Sequence, residues 1–227
     1  MKLPLSNRLL ACAAFVRPGA RVADVGCDHG YLSIHLLAQG IAAAAYASDV
    51  NEGPLSSAVA NARKFGVSDR IRFFLSDGVR QVPRDFDTHI CACMGADTII
   101  SILEAAPWLK DAGYTLILQC QSKRPDLRRY LHRHGYSIVR ENLAQDGKFL
   151  YTVMEVRFGN STPVRERDYY ISPALLASNS PLLPAFLDRV TEGIRIAVEG
   201  LRRSGGEKYN EMLALLEELN TLKGETV

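Results

Sequence analysis

Apolar positions fall along this chain in two rhythms. From residue 21 to residue 119, short apolar runs alternate with segments whose apolar residues recur every three or four positions, which predicts buried parallel strands separated by helices. A first helix is expected over 4–16, where Leu5, Leu9, Leu10, Ala13 and Phe15 or Val16 share a face and Pro18-Gly19 closes the element. Strands are expected over 21–26, 42–48, 71–75, 88–93 and 114–119. Between them come helices over 30–39, stopped by Gly40, and over 54–65, with Pro54 in the first turn and Gly66 beyond the end. A further helix carries Ile99, Ile100, Leu103 and Trp108, and a basic one covers 125–134.

Beyond residue 135 the rhythm changes. Two β-type runs, 136–140 and 149–156, flank Gln145-Asp146-Gly147-Lys148, a sequence suited to a hairpin turn. Residues 158–181 are rich in Ser, Pro and Asn and read as a linker. Two helical stripes follow: Phe186, Leu187, Val190, Ile194, Ala197, Val198 and Leu201, then Tyr209, Met212, Leu213, Leu216, Leu219 and Leu222. Ser204-Gly205-Gly206 between them predicts an antiparallel helical hairpin, which must bury its seam against itself, the main domain or a partner. The domain boundaries that follow are 1–158 for an α/β domain, 159–180 for a linker and 181–227 for the helical hairpin.

Composition narrows the class. The 227 residues give room for one α/β core with a small appendage, and 47% hydrophobic with 23% charged residues is ordinary for a soluble globular protein. No apolar run reaches membrane-spanning length and the first residues lack a cleavable signal pattern, so no membrane partner and a cytoplasmic location are expected. Five scattered cysteines suit a reducing compartment. Cys91 and Cys93 should point to the same side of a strand, but no second pair stands at zinc-site spacing, so no metal is expected. A net charge of +2 does not by itself announce a nucleic-acid partner. No oligomeric state is predicted, a monomer being the slightly favoured default.

The chemistry concentrates in residues 22–33, Val22-Ala-Asp24-Val-Gly26-Cys-Asp28-His29-Gly30-Tyr31-Leu-Ser33. An apolar run that ends in an acid and then breaks into glycines reads as a buried strand turning sharply into a helix, the place where an α/β sheet binds its ligand. Gly26 allows the turn and Gly30 allows close approach at the helix start. The dinucleotide pattern G-x-G-x-x-G fails, because Asp28 and Tyr31 stand where its second and third glycines belong, and Asp28 would repel a pyrophosphate. The D-x-G-x-x-x-G opening of S-adenosylmethionine (SAM) methyltransferases fits better, since that ligand carries a sulfonium cation. Asp49 closes the second strand, where a carboxylate can hold ribose hydroxyls. Asp77-Gly78 follows the third strand, where Asp77 could accept from an adenine amino group or simply form an Asp-Gly turn. Met94-Gly95 stands at the lip of the expected pocket. A parallel sheet finishing in an antiparallel hairpin is also the layout of a Class I methyltransferase, whereas a plain dehydrogenase would continue with parallel units.

With these pieces in order the chain resembles the bacterial tRNA (adenine-22-N1)-methyltransferase family. The likeness runs from Leu5-Ser-Asn-Arg8-Leu onward and is most specific in Asp24-Val-Gly26-Cys-Asp28-His29-Gly30-Tyr31-Leu32. It continues in Gly53-Pro54, Asp77-Gly78, Met94-Gly95, Leu118-Gln119 and Asp146-Gly147-Lys148. The resemblance implies a Rossmann-like, seven-stranded Class I domain with SAM as cofactor, a coiled-coil-like C-terminal domain, and methyl transfer to N1 of adenosine 22 in the D-loop region of tRNA. Ala96 replaces a second glycine of the family pattern, Cys120 a proline, and Phe149-Leu150-Tyr151 an aromatic followed by Glu, which bears on the substrate pocket.

The expected cofactor residues are Asp24, Gly26, Asp28, His29, Gly30, Tyr31, Asp49, Asp77, Gly78, Met94 and Gly95. Asp28 is also the catalytic candidate, as a carboxylate that stabilises charge on the adenine or accepts a proton from its amino group; binding SAM alone, or fixing the turn, are the competing roles. His29 reads as an orienting or cofactor-contacting residue rather than a base. For tRNA, the candidates are Arg8, Met94 and Gln119 near the base and Lys123, Arg124, Arg128 and Arg129 on the basic helix, against the alternative that the latter form a solvated face. Arg189, Arg195, Arg202 and Arg203 could extend that track. Two other readings compete: a SAM-dependent methyltransferase of another RNA or a small molecule, and a non-catalytic RNA-binding protein on a methyltransferase scaffold.

Overall fold

The computed structural model describes residues 3–159 and 164–226. Its strands are β1 (Ala20–Val25), β2 (Ala42–Asp49), β3 (Ile71–Leu75), β4 (Thr88–Met94), β5 (Thr115–Cys120), β6 (Tyr136–Asp146) and β7 (Phe149–Phe158). They form one seven-stranded sheet in the order β3-β2-β1-β4-β5-β7-β6. The first five strands are parallel, whereas β7 runs antiparallel to both β5 and β6. The strand order therefore reverses at the β1–β4 neighbours, the switch point outside which such sheets place their ligands.

Helices α1 (Asn7–Ala13), α2 (Tyr31–Ala38) and α3 (Glu52–Lys64) cover one face of the sheet, and α4 (Ala96–Ala105) and α5 (Arg124–Arg133) the other. The first face packs Cys12, Phe15, Leu32, Leu36 and Ala58 on Val22, Ile90 and Ile117. The second packs Ile99, Leu103, Leu127 and Leu131 on Val25, Cys91 and Leu118. Both faces being covered explains why the parallel strands read as unbroken apolar runs.

Several expectations are corrected. The first helix spans only Asn7–Ala13, and Leu10, expected on its buried face, is exposed. Trp108 is not on α4, because Pro107 starts a separate 3₁₀ turn over Pro107–Leu109. Cys91 and Cys93 do not share a side: Cys93 takes a left-handed φ of 63° at an irregularity in the β4–β5 ladder, which turns it toward the α1 face while Cys91 stays on the other. The hairpin strands are longer than expected, leaving only Gly147-Lys148 between them.

The chain divides into two compact units, residues 1–162 and 163–227. The expected linker over 159–180 includes residues 160–163, which lie outside the described residues. Its remainder is structured: a 3₁₀ turn at Glu166–Tyr169 precedes α6 (Pro173–Leu176), and Ile171, Ser172 and Leu175 are buried. The Ser172 hydroxyl caps α6 by accepting from the Leu175 N–H at 3.0 Å. Beyond it, α7 (Leu183–Leu201) and α8 (Glu207–Thr226) pack against each other, joined at their surface by a Lys223–Asp188 ion pair. On α8 the buried residues are Leu215, Leu219 and Leu222, so the seam includes Leu215, which the expected stripe omitted. Among the described residues, no helix is long and apolar enough to cross a membrane.

Candidate active site

The turn after β1 is held by two carboxylates, Asp24 and Asp49. Asp24, buried inside β1, accepts from the Ser33 hydroxyl at 2.7 Å and so pins the first turn of α2 to the strand. Asp49, at the end of β2, takes the Asp28 N–H on one oxygen at 3.0 Å and the Asn51 N–H on the other at 2.9 Å. Gly26, Asp28 and Gly30 all have left-handed φ, so the chain folds back sharply over five residues. Gly30 is required twice over, because a Cβ there would also lie 2.9 Å from the Ala58 Cβ on α3. At Gly26 an added Cβ would collide with the Met94 methyl, so the missing side chain lets Met94 lie across the turn.

The neighbouring strand ends complete a cleft of about 420 Å³. The predicted residues that line it are Gly26, Asp49, Asp77, Gly78 and Met94. Val50, Asp97, Thr98, Ser101 and Ile102 also line it and were not singled out from the sequence. Asp97 and Ser101 sit one turn apart on α4, a spacing that becomes visible only once Met94-Gly95 is known to open a helix into the site. Three carboxylates and no Lys or Arg line this cleft. Two of the three are balanced from outside it, Asp77 by Arg80 at 3.4 Å and Asp97 by Lys123 at 2.7 Å. Among the described residues no cluster of three or more His, Cys, Asp or Glu side chains could hold a metal.

The remaining cofactor candidates take other positions. Asp24 does not line the cleft; burial lifts its carboxyl to about 6 despite the Ser33 bonds, and the nearby Asp49 charge adds to the rise. Asp28 presents a side chain 71% exposed, 3.6 Å from His29 Nε2, while its N–H is spent on Asp49. His29 in turn lies 5.8 Å from the Tyr31 ring, and its carbonyl accepts from Asn61 on α3. Gly95 caps α4, where a Cβ would press the Ser122 hydroxyl at 3.0 Å.

The substrate candidates separate into three groups. Arg8, on α1, places its guanidinium 5.4 Å above the Tyr151 ring and 3.8 Å from Asp146, and it interacts with Cys93. Gln119 is fully buried; its carbonyl oxygen accepts the Cys93 N–H at 2.9 Å, bracing the left-handed residue just before Met94. Lys123, the N-cap of α5, is exposed, while on the helix Arg129 pairs with Asp126 and Arg124 is largely buried with its pKa lowered by that burial. Arg128 contradicts its expected role as a phosphate contact: its side chain is 2% exposed and ion-paired with the fully buried Glu141 of β6. An α-helix lying on a sheet must turn one stripe inward, and Arg128 is on that stripe.

A family model described as a methyltransferase domain matches residues 5–154. The tRNA (adenine(22)-N(1))-methyltransferase of Bacillus subtilis is 29% identical over 160 residues, covering 70% of this chain and 67% of that protein. A Streptococcus agalactiae structure assigned to the NADB-Rossmann superfamily matches with TM-score 0.87 and 28% identity, over 98% of this chain and 99% of that one. A Streptococcus pneumoniae protein, described as a candidate tRNA (m1A22) methyltransferase and solved with S-adenosyl-L-methionine, matches with TM-score 0.83 and 30% identity, over 95% of this chain and 99% of that one. Fold, cleft and similarity converge: the chain belongs to the methyltransferase-domain family and, within it, to the tRNA (m1A22) methyltransferases.

Proposed function

We propose that this chain transfers a methyl group from SAM to N1 of adenosine 22 in the D-loop region of tRNA. The observation that carries the reading is the cleft at the sheet's switch point, lined by three carboxylates and no cation. With Asp77 and Asp97 ion-paired, the charge of Asp49 is the one that disfavours a pyrophosphate there and favours a nucleoside bearing a sulfonium. The Streptococcus pneumoniae relative solved with SAM supports the same ligand.

Residues of this chain fit that group. Each Asp49 oxygen already holds one backbone N–H and keeps a lone pair free for a ribose hydroxyl. Val50, 61% exposed beside Asp49, offers an apolar face for an adenine, with Asp77 placed to accept from its amino group. SAM, when bound, supplies a methyl already activated for transfer to a ring nitrogen held in line with it. Adenine N1 has a free lone pair, so the chain need not provide a strong base. Met94, lying across Gly26 and lining the cleft, is placed to pack against the reacting base. Asp28, exposed on the turn and outside the residues that line the cleft, is the candidate carboxylate for stabilising positive charge as it spreads over the adenine. Asp24, Gly30 and Gly95 position the turn and helix starts around these groups.

The curated Bacillus subtilis relative carries the named activity, which supports tRNA as the substrate. Five free thiols suit a reducing cytoplasm. Incubation with SAM and an unmodified tRNA transcript, followed by digestion to nucleosides, is expected to yield 1-methyladenosine. N6-methyladenosine or a methylated guanosine as the product would overturn the reading.

A further inference from the structure

Because β7 is antiparallel to β5, it begins at the edge of the sheet where the parallel strands end. Met94 pairs with Cys120 and Cys120 with Thr152, so Thr152, three residues into β7, lies two strand spacings, roughly 10 Å, from Met94 at the lip of the cleft, and the start of β7 extends beyond it. The hairpin tip just before Thr152 carries an unusual surface. Phe149 is 54% exposed, with its ring 6.2 Å from that of Tyr151. Lys148 Nζ stands 5.4 Å from the Phe149 ring, and the Arg8 guanidinium lies 5.4 Å from the Tyr151 ring. Phe149 is not a lone exposed hydrophobe, because its ring stands beside Tyr151 and Lys148 in one patch.

The tip is also fixed in place. Asn7 Nδ2 donates to the Gln145 carbonyl at 3.0 Å, and Arg8 Nε stands 3.8 Å from the Asp146 carboxylate, tying α1 to the hairpin. On the other side Arg124 Nη1 donates to the Leu150 carbonyl at 3.5 Å. Aromatic faces interleaved with cations on a braced scaffold match the chemistry of unpaired nucleotides, whose bases stack and whose phosphates attract Lys and Arg. A purely apolar protein partner would desolvate the Lys148 ammonium without supplying an anion, whereas a phosphate compensates it.

We propose that the β6–β7 tip, Lys148 to Tyr151 with Arg8, is a stacking platform for an unpaired nucleotide of the RNA loop that presents the methylated adenosine. This rests on the RNA methyltransferase reading above and adds to it a second contact outside the cofactor cleft. The test compares the whole protein with Phe149→Ser and Phe149→Trp. The readouts are KM and kcat for an unmodified tRNA transcript, the Kd for SAM, thermal stability, and the fluorescence of a transcript carrying 2-aminopurine beside the target.

Stacking on one aromatic side chain corresponds to about ten- to hundredfold in affinity. Phe149→Ser is therefore expected to raise the tRNA KM by at least about tenfold, to leave the SAM Kd and thermal stability unchanged, and to abolish the quenching of 2-aminopurine on binding. Phe149→Trp is expected to restore both KM and quenching. If the wild type methylates tRNA and Phe149→Ser leaves KM and quenching untouched, the platform is wrong while the enzyme reading stands. If the variant changes only self-association, the tip is a contact between protein copies and the proposal fails. If the wild type takes up SAM yet neither binds nor methylates tRNA, both fall.

Discussion

At the end of β2 the Asp49 carboxylate does two jobs with the same atoms. It receives the backbone N–H groups of Asp28 and Asn51, shaping the turn, and it faces the cleft with its remaining lone pairs. Asp49→Ala removes both functions, and hydrogen bonds to a charged group are worth about 1.5–3 kcal/mol each. SAM affinity is expected to drop by about tenfold or more, measured by titration calorimetry; an unchanged Kd would remove Asp49 from the cofactor site.

Asp24 makes a different prediction, because its burial has a pH signature. Its native carboxyl sits at about 6, above the ordinary value of 3.8 taken as the unfolded reference, so the folded state holds the proton more tightly. The stability linked to this group is complete below about pH 4 and is lost as pH rises toward 6. Relative to Asp24→Asn, the wild type should lose about 2–3 kcal/mol across that interval, read from urea unfolding at several pH values. Parallel pH profiles for the two proteins would show that Asp24 titrates normally.

At the scale of elements, α5 shows where periodicity misleads. Its row of cations reads as a phosphate-facing surface, yet Arg128 points inward because β6 supplies Glu141 at the depth where the helix buries its stripe. No local pattern announces that partnership, since the two residues lie on different elements thirteen residues apart. Arg128→Ala leaves a buried carboxylate without this guanidinium and is expected to cost about 3–5 kcal/mol in urea unfolding. Methyl transfer per folded molecule should stay near the wild-type level. A stable variant with weakened tRNA binding would return Arg128 to the RNA surface.

Other elements were legible, or nearly so. The β3 run Ile71–Leu75 and the turn from Asp24 to Gly30 could be read directly, because an apolar run bounded by turn residues has few alternatives. The short α6 was legible in principle, since Ser172-Pro173 ahead of Leu175 is a helix start, but a background of Ser, Pro and Asn masks so short an element. Cys93 was not legible: strand alternation assumes a regular backbone, and its left-handed φ breaks that assumption beside the site.

For the whole molecule, the strand order places the β1 turn, Asp49, Asp77 and Met94 at one edge although they are scattered across seventy residues of sequence. The motif spacing pointed to that edge, which is why these cleft residues could be named in advance. Val50, Asp97 and Ser101 could not, because each enters through the direction its own element leaves the sheet. The cleft's charge follows from the assembled set: three carboxylates whose balancing cations, where present, stand outside it.

The most direct test of adenosine-22 methylation uses labelled SAM and two unmodified tRNA transcripts that differ only in carrying adenosine or guanosine at position 22. Label on the adenosine transcript alone, mapped as 1-methyladenosine at that position, is the expected result. Equal label on both transcripts, or none on either despite measured SAM binding, would contradict it.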